Sequence, residues 1–186
     1  MENNKKKISL SDSKDLIYKS NTLARSKYDI TLIQARFIAF LSSFVDKDDE
    51  DFFTYQIQIK PVLDFLEIDR TNLKYLSNTL KQLQTTLICL QDDDEAEAYT
   101  TFLSFFKLDK KNELLEFRFD SSLKKHYVQL KNNFTTLEIA NYKKFESVFT
   151  IKIYEFIKSN FQLYKKYENS LFREFIIDTD EFRNKI

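Results

Sequence analysis

Phe52 to Gln84 reads FFTYQIQIKPVLDFLEIDRTNLKYLSNTLKQLQ. Its first part alternates: Phe53, Tyr55, Ile57 and Ile59 fall on one face, and Thr54, Gln56 and Gln58 on the other. That period predicts a half-buried strand. Pro61 then suits the first turn of a short helix, PVLDFLEI. After Asp69-Arg70, Thr71 can cap a longer helix in which Leu73, Leu76, Leu80 and Leu83 recur at three, four and three. The opposite face of that helix carries Lys74, Tyr75, Asn78, Lys81 and Gln82, with Asn72 at its start.

Residues 85–120 extend the pattern. TTLICLQ is a β-branched apolar run and reads as a strand. An acidic loop, Asp92 to Glu97, separates it from YTTFLSFFKL. DKKN (Asp109–Asn112) reads as a tight turn, and ELLEFRFD returns as the second strand of a hairpin. Strand, short helix, turn, long helix, strand, hairpin is the order of a winged helix, a helix-turn-helix with a β-wing. The expected fold class is α+β, mostly helical, with flanking helices around that unit.

On the N-terminal side, residues 1–11 read as a flexible tail. A first amphipathic helix is expected from about Ser13 to Arg25, with Leu16, Ile17 and Leu23 inward. Thr31 and Gln34 form a capping box for a second, apolar nearly all round and therefore central. Asp46 to Asp51 ends it in a solvated acidic loop. On the C-terminal side, Asp120 or Ser121 caps SLKKHYVQL. Two further helices are expected at about 136–145 and 147–167. On the second, Val148, Ile151, Tyr154, Ile157 (or Ile153) and Phe161 form an inward stripe, expected to pack under the sheet and hold the wing hairpin against the helices. FIIDTDEFRNKI reads as a strand and the start of a helix.

Composition narrows the chemistry. The 186 residues include no glycine, one proline, one cysteine and one histidine. Without glycine there is no P-loop, no dinucleotide fingerprint and no nucleophile elbow. Asn112, Asn132, Asn133 and Asn169 are then the candidates for left-handed backbone positions. Cys89 sits in an apolar run and reads as a buried, inert thiol. His126 has no accompanying metal-ligand or nucleophile motif. Adjacent carboxylates such as Asp46–Asp51 and Asp92–Glu95 read as solvated loops, and the first lacks the glycine of an EF-hand. We expect no enzyme activity, no cofactor and no metal site. No stretch reads as a signal peptide, and none nears the ~18 to 20 apolar residues of a membrane span. A cytoplasmic protein without membrane contact is expected.

Formal net charge is zero, but it is segregated. Residues 1–36 carry eight basic against four acidic side chains, and residues 37–70 three against eight. Residues 71–91 carry two basic and no acidic ones, and residues 92–100 five acidic and no basic ones. A DNA-binding protein needs a basic face rather than a basic total. The candidate DNA contacts are Lys74, Tyr75, Asn78, Lys81 and Gln82 on the long helix, with Lys110 and Lys111 at the wing turn. Asn and Gln can pair with adenine, and Lys with phosphate or guanine. Arg36, on the apolar helix, is expected to meet a carboxylate or a helix C-terminus. The low-charge strands TTLICLQ and TFLSFF could pair with a second chain at a sheet edge, which points to a homodimer.

Two longer patterns carry a resemblance. SNTLARSKYDITLIQARFIAFLSSFVD holds Asn21 and Leu23 on one segment, then Ile30, Thr31, Leu32 and Arg36. FRFDSSLKKHYVQLKNNFTTLEIANYKKFESVFTIKIYEFIKS holds Phe119, Leu123, Leu130, Lys131, Phe134, Thr135, Ser147, Tyr154 and Glu155. These resemble the two signatures of the iteron-binding plasmid replication initiators, over about residues 15–186. The resemblance implies tandem winged helices. Residues 12–170 would be the first, and 171–186 the incomplete beginning of the second. It also implies binding to double-stranded DNA repeats at a plasmid origin, repression of the protein's own promoter as a dimer, and recruitment of host replication proteins. The alternative is a protein-interaction or dimerisation module without independent DNA binding.

Overall fold

The structure, a computed structural model, describes residues 5–161. In chain order its elements are β1 (Lys5–Lys7), β2 (Leu16–Ser20), α1 (Asn21–Ala24), α2 (Leu32–Ser42), β3 (Thr54–Gln58), α3 (Ile59–Leu66), α4 (Leu73–Thr85) and β4 (Ile88–Asp92). Then come β5 (Glu97–Thr100), β6 (Leu103–Asp109), β7 (Leu114–Phe119), α5 (Lys124–Tyr127), β8 (Phe134–Glu138), α6 (Ile139–Lys144) and α7 (Val148–Phe161). The fold is α+β, with more strand than the expected mostly helical chain.

The winged unit forms as its sequence dictates. Tyr55 and Ile57 are buried, and β3 pairs antiparallel with β7 so that Tyr55 faces Phe117 and Ile57 faces Leu115. The Tyr55 and Phe117 rings stack at 5.2 Å. Pro61 lies in the first turn of α3, where no intrahelical N–H is lost. With no glycine to end α3, Glu67 takes the left-handed conformation at φ 57°, and the Ile68 N–H bonds the Leu63 carbonyl at 3.0 Å. Asp69, rather than Thr71, caps the turn before α4: its carboxylate accepts the Thr71 N–H at 2.8 Å and the Thr71 hydroxyl at 2.6 Å. Leu76, Leu80 and Leu83 are fully buried. The Thr31–Gln34 capping box at the head of α2 is present, and Phe37, Phe40 and Leu41 bury completely.

The main sheet runs β1-β3-β7-β6. β1 corrects the expected flexible tail: Lys5–Lys7 pair in parallel with Thr54–Gln56. Lys5 reaches Glu116 at 2.8 Å, so a charged segment is held by backbone pairing that charge patterning cannot reveal. Two further departures have one cause. The expected helix at 13–25 is β2 followed by the single-turn α1, and the expected helix from Thr136 is β8 followed by α6. β2 and β8 pair antiparallel, Ile17 with Leu137 and Lys19 with Thr135. The inward face of this ribbon is half polar, with Lys19 and Thr135 both buried, so apolar alternation is missing from the sequence. Between α4 and the wing, β4 and β5 form a hairpin of their own. YTTFLSFFKL is therefore not one strand: it breaks at Thr101 and Phe102.

Left-handed backbone occurs at Glu67, Glu113, Gln129 and Asn133. Of the asparagines expected there, only Asn133 takes this conformation; Asn112 leaves it to its neighbour Glu113, and Asn169 lies outside the described residues. Cys89 is half-buried rather than buried.

Of the expected stripe on α7, Ile151 is buried and Val148 and Tyr154 pack half-buried against the core, but the most buried face is rotated from it. Ile151, Lys152, Glu155, Phe156 and Ser159 face inward, while Ile157 is 39% exposed. The helix packs on β8 and α1, not beneath the wing. At its centre the Glu155 carboxylate accepts from Lys19 Nζ at 2.7 Å, from the Tyr142 hydroxyl at 2.6 Å and from the Tyr28 hydroxyl at 3.3 Å. Lys152 Nζ donates to the Ser26 carbonyl at 3.3 Å and sits over the Tyr28 ring. Burial pushes the Glu155 carboxyl up, but Lys19 and Lys152 outweigh it and hold it below the ordinary value. Burial drives Lys152 down to about 7.

Glu155→Gln leaves Lys19 buried without its counter-charge. We expect a loss of about 3–5 kcal/mol in urea unfolding, the size of a broken buried ion pair. His126, with burial and Lys125 pulling its pKa from 6.5 down to about 4, protonates more readily unfolded than folded. The unfolded state then binds more protons within that window, so stability falls as pH drops from 6.5 towards 4. Urea midpoints across that window should slope less in His126→Gln.

Candidate nucleic-acid interface

Lys74, Tyr75, Asn78, Lys81 and Gln82 are all placed on α4, on the face opposite its buried leucines. The helix is fixed from behind, where it packs on α2 and β6. Tyr75 is 43% exposed, an unusual position for a ring that has no core role. Gln82 is partly committed: its Oε1 accepts from Gln34 Nε2 at 3.0 Å, which ties the working face to α2. Among the described residues no carboxylate lies within ion-pair distance of Lys74 or Lys81.

The wing tip is built by one acid. Asp109 Oδ1 accepts the N–H of Lys111 at 3.1 Å and of Asn112 at 3.0 Å, and Oδ2 accepts the Asn112 amide at 2.9 Å. Those bonds, from Asn112 first, hold its carboxyl below the usual range. Lys110 and Lys111 project from this turn, exposed and without an ion pair among the described residues. The tip of the wing is tied back to the helix-turn-helix, since the Ile59 N–H at the head of α3 bonds the Glu113 carbonyl at 2.8 Å. The lysine turn and the α4 face are thus joined through one strand, β6.

Arg70 escapes the sequence reading. It is exposed in the turn that leads into α4, a position from which a cation can reach a backbone phosphate. Its signal is positional: a basic residue immediately before the long helix of a helix-turn-helix. The acidic segments stand away from α4 in the chain order, with Asp51 paired to Lys124 at 3.4 Å and Asp93 folding the β4–β5 turn on itself.

The signature residues have a different task. Half-buried Arg36 donates to the carbonyls of Tyr142, Lys143 and Phe145, closing the C-terminus of α6 as expected. Asn21 accepts from Thr135 at 2.6 Å, and the Tyr154 hydroxyl accepts the Glu138 N–H at 3.0 Å. With Glu155, these residues join the first signature to the second inside the fold.

The comparisons with known proteins agree with this frame. Residues 16–158 match the family model described as Initiator Replication protein, WH1. The chain belongs to the initiator replication protein family. A search of curated proteins finds no match. Among solved structures, this initiator chain is similar to one titled "Crystal structure of Pi initiator protein in complex with iteron DNA". The TM-score is 0.64 at 19% identity, over 93% of this chain and 73% of that one, a likeness of fold. No helix among the described residues is long and apolar enough to cross a membrane.

Asp109→Ala should loosen the wing turn alone. The Lys111 and Asn112 amides should exchange with solvent at least about tenfold faster, with global stability changed by no more than about 1 kcal/mol.

Proposed function

We propose that this initiator domain binds repeated double-stranded DNA at a plasmid origin through α4 and the β6–β7 wing. The observation that carries the reading is the α4 face: cations, amides and an exposed tyrosine on one rigid helix, with the lysines free of ion pairs among the described residues. Its fold likeness to an initiator titled as a complex with iteron DNA supports the same class of ligand. Lys74, Lys81, Lys110 and Lys111, with Arg70, would neutralise phosphates. Asn78 and Gln82 would meet base edges, and Tyr75 would pack against sugar or base.

The proposal extends to the whole initiator. Residues 12–170 would be the first winged-helix domain and 171–186 the start of a second, a division whose later part lies outside the described residues. The protein acts in the cytoplasm, recruits host replication proteins, and represses its own promoter as a homodimer. The open edge of β6 favours dimerisation: the strand ends the sheet, and Phe105, Phe106 and Leu108 are only half-buried along it. The same edge favours the second reading, a dimerisation module whose DNA recognition lies in another domain.

Fluorescence anisotropy separates the two. Duplex DNA carrying the repeats found beside the gene should bind more tightly than a scrambled duplex, with an affinity that falls as salt rises. Lys74→Ala with Lys81→Ala should weaken binding and flatten the log–log salt slope by about 1.8, roughly 0.9 for each phosphate contact. An unchanged slope removes α4 from the interface. No binding at low salt leaves the dimerisation module.

A further inference from the structure

A cleft of about 460 Å3 lies between the β4–β5 hairpin, α5 and the loop 129–133. A second cavity of about 540 Å3 adjoins it and shares the side chains of Lys125 and Gln129. Neither involves the α4 face or the wing tip. From the charge, donors and shape of the first cleft we propose that it is a second binding site, for a phosphate-bearing nucleotide. The inference does not rest on duplex binding at α4.

Charge selects the phosphate. Lys125 and Lys131 line the cleft, both without an ion pair among the described residues, and no carboxylate is in the lining. Of the five acids at the hairpin turn, Asp93 takes the Gln91 amide at 3.0 Å, and none of the five lines the cleft. An anion would therefore settle on the lysine side.

His126 supplies a second, independent sign. It lines the cleft, is 5% exposed, and its Nε2 is buried without a partner. Its other nitrogen lies 2.6 Å from Ser20 Oγ, and that oxygen already accepts the Leu23 N–H at 3.1 Å. In the tautomer in which the Ser20 hydroxyl donates to Nδ1, the imidazole proton sits on Nε2. A buried donor without an acceptor is unfavourable, and a ligand oxygen entering the cleft would satisfy it.

The loop is preset to receive such a group. Gln129 and Asn133 both stand at φ 54°, in the left-handed region. The Gln129 N–H is fastened to the Lys47 carbonyl at 2.5 Å, and the Asn133 carbonyl to the Asn21 N–H at 2.8 Å. The amides of Asn132 and Asn133 offer donors and acceptors to a base edge, and Leu90 and Leu130 give its face an apolar wall. The volume falls within the range of small-molecule sites.

A proton–nitrogen NMR titration of the full chain tests this, with adenosine monophosphate as probe and adenosine as control. Saturable shifts of the Lys131–Asn133 amides and of the His126 ring are expected. Lys125→Gln with Lys131→Gln, neither of them a core residue, should weaken binding about tenfold or more. Asn132→Asp, which adds a carboxylate at the same lip, should do the same, while Lys74→Ala with Lys81→Ala should not. A short thymidine oligonucleotide distinguishes the source: shifts with the monophosphate assign a free nucleotide, and shifts with the oligonucleotide alone assign a strand. No saturable shift with either ligand overturns the proposal. Equal shifts with adenosine, or binding unmoved by the lysine replacements, overturn it as well.

Discussion

The Glu155 carboxylate is the point on which the domain is assembled. It accepts hydrogen bonds from side chains on β2, on α6 and on the segment before α2, and it balances a second lysine one turn back on its own helix. These elements come from opposite ends of the chain: Lys19 and Glu155 are 136 residues apart. Hydrophobic contact tolerates sliding, because many apolar arrangements bury similar area. A buried carboxylate with defined donors does not, because displacing it strands charge in a low-dielectric interior. The register of β2 on β8 and the rotation of α7 follow from it. Ile157 is turned outward because Glu155 must be turned inward.

This division explains why the signature residues and the candidate DNA contacts are different residues. Asn21, Arg36, Thr135, Tyr154 and Glu155 are used in closing α6, joining β2 to β8 and seating α7. The α4 face carries none of them. Family likeness therefore identifies the frame, and the DNA sequence that a given initiator reads would be set on α4 and the wing, which can vary without disturbing the buried network. The frame supplies rigidity: α4 is braced by α2 through Gln34, and the wing by the head of α3.

The winged unit is legible in the sequence because each of its cues is local. Alternation around Tyr55, a proline in a first turn, leucines at helical spacing and an Asp-Lys-Lys-Asn turn each settle a few residues without reference to the rest. The α4 face and the wing lysines can be named for the same reason, as the complement of a clear apolar stripe. What escapes is non-local or polar. β1 exists only because β3 offers it an edge. β2 and β8 hide their alternation by burying Lys19 and Thr135, whose partners are distant in sequence. The cleft beside His126 is assembled from four separated segments, which only the fold brings together. The turn beside Asn112 shows a subtler limit, since asparagine and glutamate compete for one left-handed position and Asp109 decides it by engaging the Asn112 amide.

A chain with equal numbers of acids and bases can still present a surface for polyanions, and the arrangement shows how. Opposite charges at short range cancel only where they are paired, and beyond about 10 Å salt screens what remains. In this fold several acids already hold local donors: Asp109 and Asp69 close turns, Asp46 takes Lys14, and Glu155 is buried among lysines. An acid that caps a turn points its charge at backbone N–H groups and contributes less to the field outside. The lysines of α4 and the wing have no such partner among the described residues. Zero net charge is thus compatible with a cationic edge, because acids that cap turns or sit in buried pairs contribute less to the field outside than the unpaired lysines do.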